Sequence, residues 1–342
     1  MSPLASLLSG LTVVDLTRNL PGPFSTRMLA DLGATIIKVE PPEGDPTRPL
    51  GAMFKALNHG KECRQIDFRQ QADLARLRDW LATADVMVDS FRPGVLQALG
   101  LDYPTLHALN PRLVMVSITG YGQQGEWAQK AGHDLNFMAM SGVLDQVRST
   151  DGTLAISNVQ WGDLAGGSAM ATIAVLAGVL EAQREGRGRH LDVSMTHGLF
   201  AHLVVPQSTA TLLAPILGHR PQAGEDLLNG GLPCYNVYRT ADDRHLAVGA
   251  LEHKFWREAC EVFGRPDWVD RHWQRGVMPG SSDCEALKQE VAALVASQTL
   301  SWWVAHFAHA DACVTPVLTM EEARAHPLFA GRTTVQAWSV VP

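Results

Sequence analysis

Through the first 120 residues, apolar positions come in short unbroken runs separated by stretches with helical spacing. Leu11-Thr-Val-Val-Asp-Leu16 reads as a buried strand. Thr35-Ile-Ile-Lys-Val39, Asp85-Val-Met-Val-Asp89 and Leu113-Val-Met-Val-Ser-Ile118 repeat its character, and Cys63 to Phe68 reads as a shorter edge segment. A helix opens at Pro23 and stops at Gly33, and another covers Ala72 to Thr83. Proline at the start and glycine just past the end are the expected helix punctuation. Runs apolar along their whole length belong to strands covered on both faces. Their alternation with helices predicts βαβ units and a parallel sheet.

The second half changes pattern. Asp163 to Glu185 is a long helix of small residues ending in Gly186-Arg-Gly-Arg189, and His190-Leu-Asp-Val-Ser194 is a further strand. Residues 204–230 hold Pro206, Pro215, Gly218 and Pro221 and read as a crossing segment. Beyond it, Tyr235-Asn-Val-Tyr238 and Arg244-His-Leu-Ala-Val248 flank a turn, which predicts a hairpin. Helices follow at about 253–263, 284–297 and 301–309. The expected class is α/β: a Rossmann-like large domain over 1–203, a linker over 204–230, a smaller α+β domain over 231–320, and a C-terminal segment over 321–342.

Composition narrows the function. With 46% hydrophobic residues among 342, a sizeable core is possible, and the formal charge of −7 argues against a nucleic-acid binder. The five cysteines form no CxxC, so reduced thiols are expected rather than a disulfide framework or a zinc site. The N-terminus lacks a basic, apolar leader, and the apolar run Met170 to Leu180 is too short to span a bilayer. A soluble cytoplasmic protein with no membrane partner is the expectation. After the first strand the chain reads Thr17-Arg-Asn-Leu-Pro-Gly-Pro23 rather than GxGxxG, which argues against a nicotinamide or flavin cofactor held at that turn. There is no GxSxG elbow, Ser194 and His197 lack an acid partner, and Cys313 reads as a small packed residue.

Two residues stand out. His133 lies in Gly132-His-Asp-Leu-Asn-Phe137, and Asp163 in Gly162-Asp-Leu-Ala-Gly-Gly167, each after a glycine at a helix start. Taking a proton from one face of an acidic carbon and returning one to the other needs two such groups, with stabilisation of the enolate between them. Asp163 is equally what an ordinary N-cap looks like, and Asp134 could cap as well. Lys38, Lys61, Arg64, Arg69 and Arg92 fall near strand ends, where they could hold a phosphate or form a solvated rim.

These segments resemble class III CoA-transferases and their relatives, the α-methylacyl-CoA racemases. The likeness is carried by Leu8-Ser-Gly-Leu-Thr-Val-Val-Asp-Leu16, Ala30-Asp-Leu-Gly-Ala34, Lys38-Val-Glu-Pro41, Phe91-Arg-Pro-Gly94 and Ser117-Ile-Thr-Gly-Tyr-Gly122. Gly162-Asp-Leu-Ala-Gly-Gly167, Asp192-Val-Ser-Met195 and Asp311-Ala-Cys-Val-Thr-Pro316 continue it over nearly the whole chain. The transferases use the aspartate matching Asp163 as a nucleophile. The racemases use it as an acid/base with the histidine of Gly-His-Asp, the pattern present at His133.

By this resemblance, Glu252 in Ala247-Val-Gly-Ala-Leu-Glu252 buttresses the histidine, and Tyr235 lies near the site. CoA contacts fall on Lys38, on Ile66, Asp67, Phe68 and Arg69, on Ser90, Phe91 and Arg92, and on Gly132, Asp134, Leu135, Asn136 and Phe137. A family arginine falls here on Ala98, and a family asparagine on Val159 beside Asn158. No cofactor is implied beyond CoA as part of the substrate. The implied partner is a second copy of the chain, in an interlocked homodimer whose large domain takes in the C-terminal tail. A CoA-transferase with Asp163 as nucleophile is the alternative activity, and a CoA-binding protein without turnover the alternative outside catalysis.

Overall fold

The computed structural model describes residues 3–149 and 152–330, which group into two units. The first takes the chain as far as Leu144 and resumes over Ile156–His202; the second holds Asp145–Ala155 and the described residues from Leu203 onward.

The first unit is built on β1 (Thr12–Leu16), β2 (Thr35–Glu40), β3 (Glu62–Gln65), β4 (Val86–Asp89), β5 (Val114–Thr119) and β6 (His190–Ser194). All neighbours are parallel, in the order β3-β2-β1-β4-β5-β6. Every residue of β4 and β5 is buried, as expected for strands covered on both faces. The exposed, polar β3 is an edge. The order runs outward in both directions from the β1–β4 pair, where Leu16 lies opposite Asp89. Loops leaving the carboxyl ends of those strands diverge and open a crevice, which is where ligands bind in such sheets.

Helix α1 (Pro21–Asp31) starts one residue pair before Pro23, because Pro21 already supplies the preset φ of a first helical position. Gly33 follows it at φ +101°, and a Cβ there would stand 1.9 Å from the Ala5 carbonyl oxygen. Helix α2 (Gln71–Leu81) buries Leu74, Leu77 and Leu81 at helical spacing. Helix α3 (Asp134–Ser141) follows β5 in the chain.

The segment of small residues is one continuous helix, α4 (Gly162–Glu185), whose first part, Gly162–Ala169, is wound as a π-helix. At 24 residues, with an 18-residue stretch of mean hydropathy 1.6, it is long and apolar enough to cross a membrane, more than the run Met170 to Leu180 suggested. Its small residues serve close packing here: a Cβ on Gly178 would stand 2.6 Å from Val114 Cγ1 of β5. Helix α5 (Met195–Ala201) completes this unit's account.

The second unit carries an antiparallel sheet of β7 (Tyr235–Arg239), β8 (His245–Gly249) and β9 (Val314–Pro316), with β8 central. Three fully buried tryptophans, Trp256, Trp268 and Trp303, sit in its core. They are supplied or flanked by α7 (His253–Val262), α8 (Ser282–Val295) and α9 (Leu300–Phe307). Three expectations need correction. The 204–230 segment contains a 14-residue helix, α6 (Val204–Leu217). Pro206 is tolerated because it falls in the first turn, where backbone N–H groups have no intrahelical partner. Cys313 is exposed at φ +52°, not packed, since it turns the chain into β9. Of the segment 321–342, Met320–Ala325 is helical and Pro327–Phe329 a single turn within the second unit, while 331–342 lies outside the described residues.

Candidate active site

A cavity of about 350 Å³ opens at the carboxyl ends of the central strands of the first unit. The turn after β1 gives it Arg18, Asn19 and Pro21; the loop after β4 gives Ser90, Phe91 and Arg92; the end of β5 gives Thr119 and Gly120. Lys130, Gly132, His133 and Phe137 line it from the approach to α3, and Asp163 from the start of α4. The switch point of the sheet therefore gathers segments that are 145 residues apart in sequence between Arg18 and Asp163.

His133 occupies the N-cap position of α3 with an extended backbone and an exposed side chain. Its own N–H donates to Asn136 Oδ1 at 3.1 Å, so Asn136 fixes the entry of the chain into the helix. Phe137 is buried below, and both glycines beside it are required: a Cβ on Gly120 or Gly132 would stand 2.4 or 2.7 Å from its Cε1. The Phe137 ring thus holds the His133 loop against the end of β5.

Asp163 is no N-cap, because the residue before Gly162 already has helical torsions. Its N–H donates instead to Asp134 Oδ1 at 2.9 Å, which ties the start of α4 to the start of α3. Gly162 permits that contact, since a Cβ there would stand 2.9 Å from the same oxygen. A Cβ on Gly166 would stand 2.5 Å from the Met195 carbonyl, and one on Gly167 2.9 Å from Pro21 Cβ. The wider π turn brings Asp163 to the cavity while these glycines let α5 and α1 close behind it. Such turns recur at functional sites. Burial, together with the Asp134 carboxylate, pushes the Asp163 carboxyl up to about 6, against the opposing pull of His133. An aspartate poised there can both give and take a proton near neutrality.

Several residues assigned to the site by resemblance, and the strand-end cations Lys61 and Arg64, lie elsewhere. Lys38 is fully buried, its ammonium donating to the Thr17 carbonyl at 3.0 Å and paired with Asp45 at 2.9 Å, so it offers no side chain to a ligand. Lys61 is likewise buried, on Asp15 at 3.1 Å and the Pro23 carbonyl at 2.8 Å, and is no part of a solvated rim. Ile66 is wholly within the core. Phe68 packs edge-on against Phe91, and Arg69 is exposed and paired with Asp67. Arg64 is exposed on β3 and paired with Glu62. Asp134, Leu135 and Asn136 support the loop without lining the cavity, and neither Ala98 nor Val159 reaches it. Glu252 and Tyr235 belong to the second unit. There Glu252 precedes α7 as its N-cap, and Tyr235 lines a separate cavity of about 360 Å³ with Asn236 and Cys313.

Sequence reasoning missed Arg18, Lys130 and the support below Phe91. The turn after β1 carries no glycine fingerprint, and its place at the switch point is the signal that marks Arg18. Asp89, buried at the end of β4, accepts from the Phe91 N–H at 3.0 Å and from the Ser117 hydroxyl at 2.5 Å. Burial pushes its carboxyl up to about 6 despite these bonds.

The model of CoA-transferase family III matches residues 8–340. The chain is 34% identical over 326 residues to alpha-methylacyl-CoA racemase of Homo sapiens, covering 93% of this chain and 80% of that protein. It is 32% identical over 341 residues to acetyl-CoA:oxalate CoA-transferase of Acetobacter aceti, covering 94% and 84%. A solved CAIB/BAIF family protein from Brucella suis superposes with a TM-score of 0.78 at 26% identity, covering 97% of this chain and 88% of that one. With a family match across nearly its whole length and a racemase and a transferase among its relatives, the chain belongs to CoA-transferase family III.

Proposed function

We propose that the chain epimerises 2-methyl-branched acyl-CoA thioesters by 1,1-proton transfer through an enolate. The observation that carries this reading is one cavity wall presenting both His133 and Asp163, the latter raised to about 6. The thioester acidifies Cα. His133 takes the proton from one face and Asp163 returns one to the other, with roles exchanged for the opposite enantiomer. Stabilisation of the enolate oxygen is assigned to the start of α3, whose first-turn N–H groups lack intrahelical partners. Ser90 to Arg92 and Gly132 to Phe137 are assigned to the CoA moiety, which enters as part of the substrate. The five free thiols suit a reducing compartment such as the cytoplasm.

The test is NMR of a (2R)-2-methylacyl-CoA with the protein in D2O and no acceptor acid. Deuterium at Cα with loss of configurational purity is expected; a silent Cα with CoA moving once a free acid is added would assign the chain to transfer. The pH profile separates the two as well. Both directions of epimerisation draw on the singly protonated His133/Asp163 pair, so kcat/KM is expected to be bell-shaped and to superimpose for the two enantiomers, with one limb near pH 6. A nucleophilic Asp163 needs only its ionised form, so transfer would rise through pH 6 without the matching fall. The transferase reading is favoured by the oxalate transferase relative, and it predicts an acyl-enzyme trapped by hydroxylamine.

A homodimer completes the proposal. In the first unit Ile173, Leu180 and Phe200 are exposed, and in the second Val204, Leu212 and Ile216. Apolar faces of this kind are covered in stable assemblies. Sedimentation equilibrium is expected to give twice the chain mass, and a monomer at micromolar concentration would remove the dimer from the proposal.

A further inference from the structure

We infer that Arg18 binds a second carboxylate, so that the preferred substrate is a thioester of a short branched dicarboxylic acid rather than of a plain fatty acid. The inference rests on the proposed proton transfer and names its substrate class.

Arg18 is half-buried at the end of β1 and lines the cavity that holds His133 and Asp163. Its backbone N–H is anchored to Ser90 Oγ at 3.2 Å, and its guanidinium stands 5.7 Å from the centre of the Phe91 ring. Among the described residues no carboxylate pairs with that guanidinium. Two other arginines of this unit do hold a carboxylate, Arg27 on Asp31 at 2.8 Å and Arg48 on Glu40. Asp163, the carboxylate on the cavity wall, is governed by burial, Asp134 and His133, so Arg18 does not neutralise it. A half-buried guanidinium kept without an anion, on an aromatic face inside a cavity, is built to receive one from a ligand.

CoA itself carries phosphates, yet these are separated from the thioester by the whole pantetheine arm. The exposed cations Arg92 and Lys130 lie on the same cavity and can meet them from solvent. The cavity that holds the acid/base pair has a volume of about 350 Å³, within the range of ligand pockets. Within it, a short acyl group with a terminal carboxylate would pair with Arg18.

The experiment measures calorimetric Kd values for 2-methylsuccinyl-CoA, with its methyl group beside the thioester, and for 2,4-dimethylpentanoyl-CoA, in which an isopropyl group replaces the free carboxylate at similar shape. Wild-type protein is expected to favour the anionic thioester by roughly tenfold or more. Arg18→Gln is expected to erase that ratio. Arg18→Lys is expected to keep part of it, because an ammonium preserves the charge without the bidentate fork. Equal affinities in the wild type, or a ratio unchanged in Arg18→Gln, would overturn the inference. Cα exchange in D2O is followed for both thioesters in parallel. A preference in binding without exchange of either thioester would overturn proton transfer and leave the anion site standing. Exchange of both with equal affinities would do the reverse.

Discussion

Asp163→Asn is expected to slow epimerisation by orders of magnitude and, at pH 8, to make the protein more stable. The carboxyl is pushed to about 6 by burial and by Asp134, against an ordinary value of about 4. The native state therefore holds this proton more tightly than the unfolded chain does. Stability falls as pH rises from about 4 to about 6, and the full cost is present above 6. An uncharged amide of the same shape keeps the backbone bond to Asp134 and removes that cost. The expected gain at pH 8 is about 1–3 kcal/mol, the cost of holding a carboxylate whose pKa is raised from about 4 to about 6, and it vanishes below pH 4. Turnover is expected to fall by about 10²–10⁴, the usual worth of a positioned acid or base. Urea denaturation at pH 4 and pH 8 checks the first part and D2O exchange the second. A variant less stable than wild type at pH 8 would mean that the carboxylate is held by favourable partners, contrary to its place in the cavity.

His133→Gln refines the same expectation. With one proton carrier left, Asp163 can still remove a proton from one enantiomer and return deuterium to the same face. Slow exchange without inversion, confined to one enantiomer, is the signature of two groups on opposite faces. Loss of exchange from both enantiomers at equal rates would place them on one face.

The parallel sheet was legible because doubly covered strands need apolar residues at every position, and β4 and β5 announce themselves that way. The Gly-His-Asp and Gly-Asp segments were legible as helix starts, and the structure brings both to one cavity. What sequence could not give was the partner of each charge. Lys38 and Lys61 look like surface cations until Asp45 and Asp15 are brought beside them by the fold. The π winding of Gly162–Ala169 is also silent in sequence, because it depends on which residues crowd Gly166 and Gly167 from α5 and α1. β9 is three residues long and pairs only because β8 offers an edge, so no local pattern marks it.

Asp15→Ala is expected to cost about 3–5 kcal/mol of stability and to raise KM in whatever protein still folds. Asp15 is wholly buried in β1 and accepts from Thr17 Oγ1 at 2.5 Å, Thr26 Oγ1 at 2.6 Å and Lys61 Nζ at 3.1 Å. Burial alone would push its carboxyl up, but Lys61, Lys38 and the two hydroxyls outweigh it and hold the group well below the usual range. Its stabilisation is therefore complete above about pH 4 and is lost as pH falls further through the depressed native value. Removing the side chain leaves the buried Lys61 ammonium without its counter-charge and takes the acceptor from the Thr17 and Thr26 hydroxyls. Asp15→Asn keeps the shape and loses only the charge, and Lys61 softens that loss: burial has already drawn it down to about 8, so it can shed its proton near neutrality. Alanine should thus cost more than asparagine, and both should flatten the acid limb of stability below pH 4, as read by chemical denaturation across pH. The effect reaches the site through one residue. Thr17 is bonded to Asp15 and, through its carbonyl, to Lys38, and the next residue is Arg18 on the cavity wall. Loosening that block moves the guanidinium before it touches His133 or Asp163, so substrate affinity should suffer ahead of kcat. A loss of kcat at unchanged KM would mean that the buried ion pair supports the acid/base pair instead of the turn after β1.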